Sequence, residues 1–341
     1  MEAVIIDPSN RGEWEEYLLG NEKSIAWQSF DWSDVLARHY RFDFFPIAAV
    51  DSGKISGVLP LYRIKTLLNG DMLIAVPHAV AGGIVADSEE ASGVLLGKAI
   101  ELSRKFNSCR IVLKQYKHRM VGDLHTDDNY YNRELRLSQD VRQVWDGMQP
   151  GNRDAILRAE KSPLVLEHPS DDLQGFYRIL LEHLHTRGIP CVSRSWIRDL
   201  IRFKMYSIAL LKREGRVVAG TLVKEYKKTV SLPFSCLPET EKTRVEYLYR
   251  LYWDLIRNYC GKGYEIFHSG RIPNNDSTDE YRLGWGGTKY GYYYQYFPNR
   301  SVKTEYATKR GRKREVLEKC WKVIPTNVAG ILGPSVVKQF P

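Results

Sequence analysis

Cysteine is scarce in this chain of 341 residues. The five present, Cys109, Cys191, Cys236, Cys260 and Cys320, are odd in number and form no Cys-x-x-Cys pair. That pattern argues against a disulfide framework and against a structural zinc site. No cluster of His, Cys, Asp and Glu has metal-ligand spacing, so no metal is expected. No apolar run approaches the length of about 18 residues that a membrane-spanning helix needs. Met1–Asn10 lacks the charged and then apolar pattern of a signal peptide. Sustained heptads are also missing, which excludes a long coiled coil. Together these absences predict a reduced, cytoplasmic protein.

What is present is ordinary globular material with a positive balance. Hydrophobic residues make up 43% and charged residues 27%, and the formal net charge is +9. The length suits two domains, each with its own core. The charge favours anionic partners: phosphates, nucleic acid or an acidic membrane face.

A duplication is legible. Ile47–Val50 runs through a turn at Asp51–Lys54 into Ile55–Leu61; Ile208–Leu211 runs through Arg213–Arg216 into Val217–Val223. Each is a strand, a tight turn with glycine, and a strand carrying a second glycine, Gly57 or Gly220, the mark of a bulge or close backbone approach. Helical patterns precede each hairpin, at Asp31–His39 and at Leu173–Leu184 plus Trp196–Phe203. A third strand follows (Met72–Val76; Thr229–Pro233), then a longer helix (Glu89–Phe106; Arg244–Cys260), then another strand (Arg110–Lys114; Glu265–His268). Helix and strand alternating in this way predict mixed α/β layers. Turn residues at Met148–Asn152 place the break between halves, with Asn152 as a helix cap. Tyr290–Phe297 alternates as a strand does. Near the end, the basic run Lys309–Arg314 leads into a helix over Glu315–Val323 and a Pro- and Gly-broken apolar stretch, Ile324–Phe340. The run suits a solvated turn or an anionic surface.

Five stretches in order resemble the Fem-type peptidyltransferases and their FemAB-related, GNAT-like relatives. They are Trp27-Gln-Ser-Phe-Asp-Trp32; Asn152-Arg-Asp-Ala-Ile-Leu-Arg-Ala-Glu-Lys161; Phe176-Tyr177 with His185-Thr-Arg-Gly-Ile-Pro190; Ser269-Gly-Arg271 with Tyr281-Arg282 and Trp285-Gly286; and Trp321–Pro325 with Leu332–Pro334. The resemblance implies two tandem GNAT-like domains, over 1–148 and 149–307, with mixed, mostly antiparallel sheets flanked by helices and a cleft between them. A basic turn, helix and tail over 308–341 would pack on the domains. It also implies transfer of an acyl or aminoacyl group onto an amine of a cell-envelope or surface-polysaccharide precursor. Aminoacyl-tRNA or acyl-CoA would be the donor substrate, with no tightly bound cofactor, and the protein would touch the inner membrane face peripherally.

Such chemistry needs a neutral amine, a placed carbonyl and a stabilised oxyanion. Arg187 ends a helix and presents a fork suited to phosphate. Gly270 and Arg271 follow a strand end, where α/β sheets bind ligands. Arg282 stands where many Fem enzymes carry a lysine thought to stabilise the oxyanion; it offers charge and donors but cannot act as a base. His268 is the candidate base. Tyr281, Trp285, Trp32 and Arg153 complete the substrate-binding set. Arg153 and Arg158 lie on different faces of one helix, and so do His183 and His185. Leu36 stands where a Fem lysine is common. The acetyl-CoA loop, Gln/Arg-x-x-Gly-x-Gly/Ala, is not found: Arg282–Gly287 comes near it but has Trp285 at a required glycine. A CoA-dependent N-acyltransferase acting on an amino sugar, and a non-catalytic module binding RNA or a glycan, are the alternatives.

Overall fold

The computed structural model describes residues 1–67, 70–241, 244–268, 270–274, 284–299 and 312–341. In chain order its strands are β1 (Glu2–Ile5), β2 (Asp43–Asp51), β3 (Lys54–Thr66), β4 (Gly70–Ala75), β5 (Val85–Ala86), β6 (Arg110–Tyr116), β7 (His125–Arg136), β8 (Leu164–Ser170), β9 (Ser207–Arg213), β10 (Arg216–Tyr226), β11 (Thr229–Ser231), β12 (Ile266–His268), β13 (Ile272–Pro273) and β14 (Thr288–Phe297). The helices are α1 (Arg11–Gly20), α2 (Phe30–His39), α3 (Glu89–Phe106), α4 (Val141–Asp146), α5 (Pro150–Glu160), α6 (Leu173–Thr186), α7 (Arg194–Arg202), α8 (Glu246–Gly261), α9 (Arg312–Val323) and α10 (Thr326–Val337).

The chain forms two compact units. The first is Met1–Tyr130 with Gly291–Ala307 and Lys338–Pro341; the second is Tyr131–Tyr290 with Thr308–Val337. The sequence puts the break near Met148, yet Val144, Met148 and Ile156 share the core of the second unit.

In the first unit β1, β2, β3 and β4 pair antiparallel in that order, β4 pairs parallel with β6, and β14 closes antiparallel on β6. Strand alternation sorts the side chains. Ile47, Ala49, Leu59, Leu61 and Leu73 face α3 and its Leu95, Ala99 and Leu102. Ala48 and Val58 face Trp14, Leu18 and Phe30 of the first two helices.

The second unit repeats the plan. β8, β9, β10 and β11 pair antiparallel, β11 pairs parallel with β12, and β12 pairs antiparallel with β7. Both hairpin turns have two residues at positive φ, Ser52 and Gly53 in one and Glu214 and Gly215 in the other. This is the two-residue turn whose twist matches the strands. The second glycines mark close approaches. A Cβ at Gly57 would lie 3.0 Å from Ala86, and one at Gly220 would lie 2.9 Å from Ile179. The bulges sit elsewhere, at Ala49/Val50 and Val217/Ala219.

The end of the chain is more ordered than its composition suggests. The Pro- and Gly-broken stretch is a helix, α10, with Pro334 inside it. Its small residues account for this: Ala329 is buried, Gly330 lies over Leu181 and Gly333 lies against the Cys191 backbone. His185 Nε2 donates to the Ile324 carbonyl at 2.7 Å. Gly188, at φ +74, admits the backbone of Glu318 from α9: a Cβ there would meet the Glu318 carbonyl oxygen at 2.6 Å.

Gly188→Ala combines a left-handed backbone with that collision. It should destabilise the protein by about 2 kcal/mol or more in urea unfolding. Gly97→Ala, inside α3 with open space around it, should stabilise by about 0.5–1 kcal/mol. Equal midpoints for the two variants would contradict the packing of α9 on Gly188.

Candidate active site

A parallel strand pair leaves two carboxyl ends side by side, and open α/β sheets bind ligands there. Each unit has one such pair.

In the first unit this region is a cleft of about 490 Å³ between the end of β6 and the start of α3. Its floor is built from backbone. Gly82 and Gly83 both donate to the Lys114 carbonyl at 2.9 Å, and a Cβ at Gly83 would fall 1.8 Å from Gln115 Oε1. Gln28 clamps the edge, accepting from Ile25 N at 2.8 Å and donating to the Gly83 carbonyl at 2.8 Å. The Gln-Ser-x-x-Trp stretch is thus structural. Trp32 is buried, with Nε1 donating to the Pro77 carbonyl at 3.1 Å. Trp32, expected in the substrate-binding set, is only 1% exposed.

The second unit carries a polar row instead. Its register aligns Lys224 with Ser231, Ser231 with His268, and His268 with Glu134. Directly paired residues share a sheet face, so four strands bring these four side chains into one line. Val223, Val230, Phe267 and Leu135, one residue earlier or later, lie on the opposite face in the core with α5 and α8. The row is well enclosed: Lys224 is 4% exposed, and His268 and Glu134 are each 9% exposed. Lys224 Nζ stands 4.6 Å from the centre of the Tyr206 ring, a cation–π contact. Gly270, at φ +88, turns its N–H back to His268 Nδ1 at 3.3 Å. With Nδ1 accepting this N–H, Nε2 is the other nitrogen through which the expected base could act. Arg271 follows Gly270, beside this strand end.

The other expected residues divide. Arg187 is exposed and gives Nη1 to His183 Nδ1 at 3.0 Å and to the His183 carbonyl at 3.2 Å. Arg153, expected to contact substrate, gives Nη1 to the carbonyls of Trp145, Asp146 and Met148 at 3.0–3.3 Å and so caps the end of α4. Trp285, also expected to contact substrate, is buried in the core and stacked on Tyr252 at 5.8 Å, while Gly284 admits Asn152 and Gly287 admits the Glu134 backbone. Tyr281 and Arg282 lie outside the described residues.

Sequence reading misses Glu134, Ser231 and Lys224. Lys224 leaves a signal, a charge ending the apolar run Val217–Val223 at an inward position. Glu134 and Ser231 leave none, because the register that joins them spans distant segments.

Thiol nucleophiles are disfavoured among the buried cysteines. Burial pushes Cys191 up to about 12 and also raises Cys236 and Cys260. No group of three His, Cys, Asp or Glu among the described residues is placed to hold a metal ion.

Solved structures share this architecture. FemX aligns with a TM-score of 0.66 at 12% identity, over 86% of this chain and 97% of that one. L-PGS from Bacillus licheniformis aligns at 0.59 and 13%, over 87% and 94%. A tandem GNAT protein from the clavulanic acid biosynthesis pathway aligns at 0.54 and 11%, over 86% and 97%. No family profile matches the chain, and no curated protein matches its sequence. The likeness is one of fold: the chain has the mixed α/β, tandem GNAT-like architecture.

Behind the first-unit cleft, Lys114 Nζ donates to the carbonyls of Val76 and Ala79 at 3.3 and 3.1 Å. His78 stacks on Tyr40 at 4.2 Å. Burial, and then the Lys114 charge, push His78 down to about 3. A histidine lowered in the folded state is stabilising above its unfolded value, near 6.5, and loses that contribution as pH falls toward 3. Between pH 7 and 4.5 the wild-type protein should therefore lose about 2 kcal/mol more stability than His78→Phe. Parallel stability–pH curves from urea titrations would refute the assignment.

Proposed function

We propose that this chain transfers an aminoacyl or acyl group onto an amine of a cell-envelope or surface-polysaccharide precursor. The observation that carries the reading is the enclosed row Lys224, Ser231, His268 and Glu134 at the carboxyl ends of β11 and β12. Its composition suits the reaction. Glu134 takes a proton from the attacking amine as the new N–C bond forms. The Lys224 ammonium and His268 Nε2–H face the developing oxyanion. As the tetrahedral adduct collapses, the acyl C–O or C–S bond breaks and Glu134 returns the proton to the leaving group. Arg187, Arg271 and Arg282 would hold the phosphates of the donor.

The helix starts favour an aminoacyl ester over CoA. A pyrophosphate held in the GNAT manner needs the positive end of a crossover helix. Here α3 opens with Glu89 and Glu90, and α8 opens with Glu246. Carboxylates at those places repel a diphosphate. Aminoacyl-tRNA is therefore the favoured donor.

The purified protein should discharge labelled aminoacyl-tRNA in the presence of an envelope-precursor amine, and labelled acyl-CoA much more slowly. Lys224→Met and Glu134→Gln should each lower turnover by about 10²-fold or more, with melting temperatures held as a folding control. Arg282→Ala belongs in the same panel. Full turnover in both Lys224→Met and Glu134→Gln would remove the row from the chemistry. Discharge of thioesters alone would move the protein to the CoA-dependent class. Salt-dependent RNA binding without discharge would make it a binding module.

A further inference from the structure

The packing of α10 is the reverse of an ordinary surface helix, whose large apolar residues face the protein. The face turned to the second unit is made of small residues, Ala329, Gly330 and Gly333. The opposite face carries Val328, Ile331 and Leu332, a stripe at i, i+3 and i+4. Ile331 is 76% exposed and Leu332 45%. Val323, at the end of α9, is 82% exposed and lies just before this helix in the chain.

Charge separates along the same two helices. Val323–Val337 contains no charged residue, whereas Lys309–Lys322 holds seven basic residues against two acidic ones. On α9, Lys319 and Lys322 are exposed. An apolar face beside a basic helix is the composition that binds anionic bilayers at the headgroup level. Among the described residues no helix is long and apolar enough to cross a membrane, so these two helices would lie on the surface.

We propose that α9 and α10 form a docking surface for an anionic phospholipid bilayer, with Val323, Val328, Ile331 and Leu332 entering the interface and Lys319 and Lys322 meeting lipid phosphates. The docked face of α10 stays on α6, so binding needs no unfolding. This inference is independent of the transfer reaction and of the polar row.

Co-sedimentation of the full chain with vesicles tests it. Binding should be strong on phosphatidylcholine mixed with phosphatidylglycerol, weak on phosphatidylcholine alone, and reduced by salt. Ile331→Asp with Leu332→Asp should lower binding about tenfold or more, and Lys319→Glu with Lys322→Glu should lower it only on the anionic vesicles. Melting curves check folding, and Ile331→Asp alone serves if the double variant melts early. Equal binding to both vesicle types, or binding unaffected by the aspartates, would overturn the proposal. So would a concentration-dependent dimer in sedimentation velocity that the aspartate variant dissociates, since a second copy would then cover the face.

Discussion

Two neighbouring strands that run the same way cannot be joined by a tight turn, and this constraint organises both units. The chain must leave the sheet, cross it as a helix and return. Helices of 18 and 16 residues make the crossings from β4 to β6 and from β11 to β12. Burial holds them there. Leu95, Ala99 and Leu102 bind one helix to its sheet, and Leu251, Leu255 and Ile256 bind the other. Each fully buried aliphatic side chain is worth about 1.5–3 kcal/mol. Once the crossing helix is fixed, the carboxyl ends of the parallel strands stand together with no hairpin to close them over. The cleft of the first unit and the polar row of the second both occupy that kind of place.

Glycine and other small residues set how closely the layers approach. Gly57 lets β3 meet Ala86 and Leu95; Gly220 lets β10 meet α6. Only Gly83 leaves room for Gln115 in the cleft floor, and only Gly287 lets its segment lie on Glu134. The positive-φ turns at Gly53 and Gly215 set the register of their hairpins. In the second unit a further two-residue turn, with Lys227 at positive φ, pairs Tyr226 with Thr229 and so aligns Lys224 with Ser231, and the parallel pairing of β11 with β12 adds His268.

These local features were legible in the sequence, which is why the doubled order of helix and strand could be read there. Periodicity and turn chemistry act over a few residues, and they located the hairpins, α3 and β14 closely. Their limit is range. Glu134 and His268 are far apart in sequence, and nothing near either one signals the other. The motif residues show a different limit. Trp32 and Trp285 stand out because they are large, and large aromatic rings are more readily buried than presented. Arg153 stands out as a charge, but three carbonyls at the end of α4 claim its guanidinium. The tail shows the converse: Pro and Gly suggest interruption, yet small size lets Gly330 and Gly333 seat a continuous helix.

The two units carry different polar residues at the same place. In the first, Lys114 is spent on the carbonyls of Val76 and Ala79, Gln28 on the Ile25 amide and the Gly83 carbonyl, and His78 is held neutral behind them. These groups shape a cleft, and a lysine whose ammonium is committed to backbone oxygens is a poor partner for a charge that develops during a reaction. In the second, carboxylate, imidazole, hydroxyl and ammonium meet on one face, with opposite charges at the two ends of the row. Enclosure there strengthens each interaction with a transient charge, because little water competes. A duplicated fold can carry different polar residues at the same place in its two copies, since the core that holds the crossing helix of the second unit lies on the face of the sheet opposite the row.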